Sequence, residues 1–234
     1  MSKLAHLDDL LAEYHQLAYH NNPALLEKLQ QVQAWQKARI QRTHATHFAE
    51  PKNHLMAEYF LNRLYGGPDF DAVAQQIERL MHYAHKAENF IPDNAIMTGT
   101  KGVKLAILAV RLDVDVAQSL LENYPADQTI DDEMMRLTYL KLGQAEPRLL
   151  QMSLLDDLGK SLDKYMRSFI VYSAFKMCKG VAYRHQFETM YEFMQDGFLA
   201  MKPLKSAEDF VRQFTETERD IIERVHCGDL HPFD

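Results

Sequence analysis

Glycine and proline are scarce, nine and eight in 234 residues. So few breakers leave few turns, and long helices are the natural reading. Cysteine is scarcer still. Cys178 and Cys227 are too few for a disulfide framework, and neither sits in a metal-binding spacing, so a reducing compartment fits best. No stretch comes near the roughly eighteen apolar residues needed to span a bilayer. The first twenty residues carry Asp8, Asp9 and Glu13 among their leucines, which is not the pattern of a signal peptide. Excess positive charge is also missing. The formal net charge is -7, which argues against a general nucleic-acid binder. The expectation is a cytoplasmic protein that neither spans a membrane nor grips nucleic acid.

What is present is helical periodicity. Apolar residues make up 47% of the chain, enough at this length for a substantial core. Leu7, Leu10, Leu11, Tyr14 and Leu17 form one stripe and predict a helix over Leu4–His20. Asn22 as cap and Pro23 in the first turn open a second helix, predicted to reach Phe48. A third is expected from Pro51 to Tyr65, stopped by Gly66-Gly67-Pro68. Asp69 caps a fourth, from Phe70 to Glu88, with Val73, Ile77, Leu80, Met81 and Ala84 inside.

A fifth helix runs from Asp93 to Leu112, and a shorter one, capped by Asp113 or Asp115, ends near Tyr124. Asp131 or Asp132 opens a further helix closed by Gly143. Pro147–Met177 reads as one long helix in which Gly159 marks a bend or a tight crossing. Gly180 breaks the pattern, Val181–Met201 follows, and Ser206 caps a last helix that runs to about Val225. The final residues read as irregular. No segment shows strand alternation and no repeat appears. The prediction is an all-α fold of about nine or ten helices, continuous over residues 1–234.

Trp35–Gly67 is the densest stretch in aromatics, arginines and histidines. It resembles an uncharacterised family of bacterial all-helical proteins, with a Trp-Gln-x-x-Arg-Leu helix and a Phe-Phe-Leu-x-x-Leu-Tyr-Gly helix end. The matching residues are Trp35, Gln36, Arg39 and Ile40, then Tyr59, Phe60, Leu61, Leu64, Tyr65 and Gly66. Tyr59 stands where the family more often has phenylalanine. At the other end, Phe193, Gly197, Phe198 and Met201 fit a Phe-Leu-x-x-Gly-Phe-x-x-Phe pattern, and Glu218-Arg219 fits a charged pair in the last helix. The resemblance implies an all-α single domain and no particular activity.

Three constellations carry chemistry. Glu78, His82, His85 and Glu88 are spaced at four, three and three, which stacks them along one helix face where a divalent metal can be held. His44 and His47 share another face and would join them if the two helices pack together. The simpler reading of both groups is a solvated or hydrogen-bonded histidine face, because the Glu-x-x-His motif of helical carboxylate–metal proteins occurs once, at Glu223–His226. A haem needs one axial histidine and an apolar slot, which composition does not address.

The third constellation is Trp35, Arg39, Tyr59 and Tyr65. Arg39 falls on the apolar side of its helix, so burial would require a carboxylate or several carbonyls as partner. Functionally it could take an anion; structurally it could hold the helix end at Leu64-Tyr65-Gly66. There is no nucleophile elbow, no cysteine–histidine pair on a convincing scaffold and no phosphate loop, since GTKG at 99–102 lacks the spacing. The leading expectation is a non-enzymatic binding or protein-interaction module with an unknown protein partner or self-association. The alternative is a metal-dependent helical oxidase or hydrolase.

Overall fold

The computed structural model describes residues 2–66, 70–87, 91, 93–166 and 168–234. Its helices in chain order are α1 (Ala5–His15), α2 (Pro23–Thr43), α3 (Ala45–Ala49), α4 (His54–Tyr59), α5 (Phe70–Ala87), α6 (Asp93–Asn123), α7 (Asp132–Leu142), α8 (Ala145–Met166), α9 (Phe169–Met177), α10 (Lys179–Arg184), α11 (Glu188–Met201) and α12 (Ala207–His226). The fold is all-α, with no strand among the described residues.

Several ends lie where the local chemistry puts them. Asn22 accepts from the Leu25 N–H with Pro23 in the first turn of α2. Asp131 accepts from the Met134 N–H at α7, and Ser206 from the Asp209 N–H at α12. Gly143 closes α7 in the left-handed region at φ +61°. Asp69 and Glu88 lie outside the described residues.

Other ends differ from the sequence expectation. The first helix stops at His15, and a 3-10 turn over Ala18–Asn21 folds Tyr19 back so that its hydroxyl and that of Tyr14 both donate to Asp71 on α5. The second helix breaks at His44 before the short α3. The third begins only at His54 and ends in a π turn over Phe60–Leu64, where the Tyr65 N–H reaches the Phe60 carbonyl at 2.9 Å. Leu80 faces solvent, so the inner face of α5 is narrower than its apolar pattern suggested.

The largest correction is α6, one helix of 31 residues where two were expected. Asp113 and Asp115 are not caps: Asp113 is buried in mid-helix and Asp115 accepts from the Gln144 amide. The Pro147–Met177 stretch is instead two helices, with Ser168 capping α9 through the Val171 N–H. Gly180 lies inside α10, and the breaks fall on either side of that helix, at Cys178 and at Gln186 (φ +59°).

Three apolar clusters organise the helices. The largest joins α1, α2, α6, α7 and α12 around Val32, Val116, Leu120 and Met135. A second joins the end of α2, α3, α4, the end of α11 and the start of α12 around Phe48, Phe210 and Phe214. A small third lies between α1 and α5, around Leu7, Leu11 and Met81. α8 runs antiparallel to α12, with Asp163 meeting Ser206 and Ala207 at one end and Asp156 meeting Thr215 further along. Gly159 makes a tight crossing rather than a bend: a Cβ there would stand 3.0 Å from Val211. The irregular tail packs inward, with Phe233 buried edge-on to Trp35 and Tyr139.

Candidate functional site

Gln36 and Arg39 continue the buried face that α2 begins with Leu25, Leu29 and Val32. That spacing drives a guanidinium into the bundle interior, where an unpaired charge is costly. Glu218 of α12 meets it. Arg39 Nη1 donates to Glu218 Oε1 at 2.5 Å, and Nε and Nη2 donate to Gln36 Oε1 at 3.3 and 2.9 Å. The Gln36 amide donates in turn to the Tyr139 hydroxyl at 2.6 Å. His44 Nε2 lies 2.7 Å from the same Glu218 oxygen, its ring stacked on Phe214 at 4.4 Å. Burial alone would push the Glu218 carboxyl up, but the Arg39 charge and the hydrogen bonds from His44 and Arg39 hold it down at about 2.

A second acid sits in the same interior. The π turn delivers Tyr65, whose hydroxyl donates to Asp113 Oδ2 at 2.6 Å. Burial outweighs that bond and the charges of Arg148 and Arg39, so Asp113 is pushed up to about 6. Burial likewise raises Tyr139 to about 12 and Tyr65 well above the ordinary tyrosine range. Arg148, in the first turn of α8, lays its guanidinium 4.3 Å over the Tyr139 ring.

Arg39 and Tyr65 are thus brought into one buried cluster. The other two members of that predicted set are not. The Trp35 indole donates to Asp132 Oδ1 at 3.0 Å, on the α7 side. The Tyr59 hydroxyl donates to the Phe193 carbonyl at 3.0 Å, pressed against Gly197 of α11. Arg39 binds a carboxylate, as its burial requires, but it does not hold the helix end. Lys37 does, donating to the Gly66 carbonyl at 2.9 Å.

The histidine sets stay apart. His44 and His47 pack on Phe214 and Phe210 of α12. On α5, His85 pairs with Asp8, Glu78 with His15 and His82 with Lys86. Asp8, His15, Glu78, His82 and His85 border a groove between α1 and α5, also lined by Leu11, Ala12 and Met81. Among the described residues no group of three or more His, Cys, Asp or Glu side chains is placed to hold a metal ion.

A second feature is an exposed apolar surface. α9 and α10 follow one another almost without interruption, and their inner side packs Phe175 on Tyr191 at 4.3 Å and Tyr172 on Phe198 at 5.2 Å. The outer side shows Phe169, Ile170 and Met177 at 82%, 79% and 83% exposure, with Val181 beside them.

Residues 16–232 match the family described as Domain of unknown function (DUF8198). The chain belongs to that family. No curated protein and no solved structure matches it. The match extends over most of the chain, as the resemblance to an uncharacterised all-helical family implied. No described helix of this DUF8198 chain is long and apolar enough to cross a membrane.

Sequence reasoning missed four members of the DUF8198 cluster: Tyr139, Glu218, Asp113 and Arg148. Glu218 was visible as a charged pair with Arg219, yet 179 positions separate it from Arg39 and nothing local joins them. Asp113 interrupts an apolar helical run, the same signal that singled out Arg39, but it reads equally well as a cap. Arg148, beside Pro147 near a helix start, resembles an ordinary surface charge.

Proposed function

We propose that this chain is a non-catalytic interaction module, one helical unit over residues 1–234, that pairs with a second copy through the outer face of α9 and α10. The observation that carries this reading is the exposure of Phe169, Ile170 and Met177 on one side of a helix that buries none of its residues. An amphipathic helix normally turns its apolar stripe inward, and contiguous apolar patches on a surface mark contact sites. With Val181, these side chains offer several hundred Å², on the order of the roughly 800 Å² that one partner gives to a standard interface.

The charge pattern supports a second copy. Lys176 and Lys179 fold their ammonium groups over the rings of Tyr172 and Tyr183, at 5.5 and 5.4 Å, which draws the cations off the centre of the face. An apolar centre with a charged rim is self-complementary about a two-fold axis. The buried cluster supports binding over catalysis, because Arg39, Gln36, His44 and Glu218 spend their hydrogen bonds on one another. Two exposed free cysteines suit a cytoplasmic setting.

Sedimentation equilibrium tests the pairing. The wild-type chain sediments as a dimer at micromolar concentration, and the double variant Phe169→Glu with Met177→Glu sediments as a monomer with an unchanged circular dichroism spectrum. A wild-type chain that is monomeric throughout the micromolar range refutes the second copy as occupant. Vesicle binding or a stable complex with an acidic protein, each lost in the variant, would assign the face to lipid or to a different partner.

A further inference from the structure

Three arginines are at least nine-tenths buried among the described residues: Arg39, Arg136 and Arg148, at 5%, 7% and 8% exposure. Two are neutralised. Arg39 is bound by Glu218, and Arg136 is held by both oxygens of Glu133 at 2.6 and 2.7 Å. Arg148 has neither a carboxylate nor a carbonyl. Its Nε and Nη2 are buried without a hydrogen-bond partner, its face is stacked on the Tyr139 ring, and its charge acts on the Asp113 carboxyl without a hydrogen bond between them.

The two empty donors are a matched pair. In a guanidinium, the Nε and Nη2 hydrogens point in parallel along one edge, the spacing that takes two oxygens of a carboxylate or phosphate at once. The ring covers the face, and the buried edge carries no hydrogen bond. We propose that Arg148 anchors a small-oxyanion site, receiving one carboxylate or phosphate group on its Nε–Nη2 edge at the start of α8. This reading is independent of how α9 and α10 are covered.

The rival occupant is a water molecule. Gln144, one turn earlier, has a buried Oε1 without a partner while its amide donates to Asp115 at 2.6 Å. A water could bridge this oxygen and Arg148. It would satisfy donors and acceptor but leave Arg148 without the directly bonded carboxylate that Arg39 and Arg136 both have. Arg39 and Asp113 spend their hydrogen bonds on Glu218 and Tyr65, so neither takes up the Nε–Nη2 edge.

The test follows the arginine side-chain N–H resonances of the full chain by NMR while inorganic phosphate, and separately acetate, is added against a chloride background of equal ionic strength. Phosphate or acetate is expected to shift the Arg148 Nε–H saturably and to raise the melting temperature. Preference for phosphate or for acetate assigns the natural ligand to a phosphate or a carboxylate. Arg148→Lys keeps the charge but loses the parallel pair, and should weaken binding about tenfold or more. Arg148→Met should abolish it. If Arg148→Met does not fold, the wild-type and lysine titrations decide. No saturable shift, an Nε–H that exchanges magnetisation with water alone, or equal binding by Arg148→Lys overturns the proposal.

Discussion

The α2–α12 interior and the α9–α10 pair are both dense in aromatic rings, yet they use them in opposite ways. In the interior, Phe48 and Phe214 stack on His44, which shares the buried Glu218 carboxylate with Arg39, so apolar side chains adjoin a salt bridge kept from water. In the α9–α10 pair, the most apolar helix of the chain buries none of its residues. Apolar content therefore does not rank segments by depth here. What separates the two regions is whether an element is enclosed by others: α12 is flanked by α7 and α8, whereas α9 has an uncovered side.

The contrast can be broken most directly at Glu218. Glu218→Ala strands Arg39 and His44 in the interior and should cost about 3–5 kcal/mol in urea unfolding. Phe169→Ala, on the uncovered side, should change monomer stability by no more than about 0.5 kcal/mol. Equal costs would mean that the outer face is packed after all.

A smaller effect separates the two buried acids by pH. Glu218 is lowered from 4.5 to about 2, so its contribution is complete above 4.5 and is lost as pH falls through about 2. Asp113 is raised from 3.8 to about 6, so its contribution is complete below 3.8 and is lost as pH rises through about 6. Asp113→Asn should remove the decline between those two values in a melting-temperature profile and leave the acid limb intact. A variant that retains the decline would assign it to other groups.

Glycine substitutions give the finest comparison. Gly159→Ala forces a Cβ onto Val211 and should cost about 1–3 kcal/mol. Gly102→Ala meets nothing within 4 Å in α6 and should gain about 0.5–1 kcal/mol from helix propensity alone. Thermal melts of the two variants would therefore move in opposite directions.

Much of this architecture was legible because it is written locally. Asn22, Asp131, Gly143 and Ser206 mark helix ends through bonds that span a few residues, and all four do so in the structure. The same logic misled at Asp113, since an aspartate looks alike whether it caps a helix or accepts a tyrosine hydroxyl from another one. Arg39 announced that it needed a counter-ion but not which, because Glu218 is brought to it by the packing of α12 on α2. Arg148 gave no local sign, as its isolation is a property of what surrounds it.

The length of α6 has a consequence for how the molecule opens. At 1.5 Å per residue its 31 residues extend about 46 Å, but its buried residues all fall between Ile107 and Leu120. The turns before Ile107 hold no fully buried side chain and include Gly99 and Gly102. Amide protons in those turns can exchange with solvent by fraying, while amides beyond Ile107 must wait for the main core to come apart. One continuous helix thus belongs to two cooperative units, and the boundary between them falls inside it rather than at a loop.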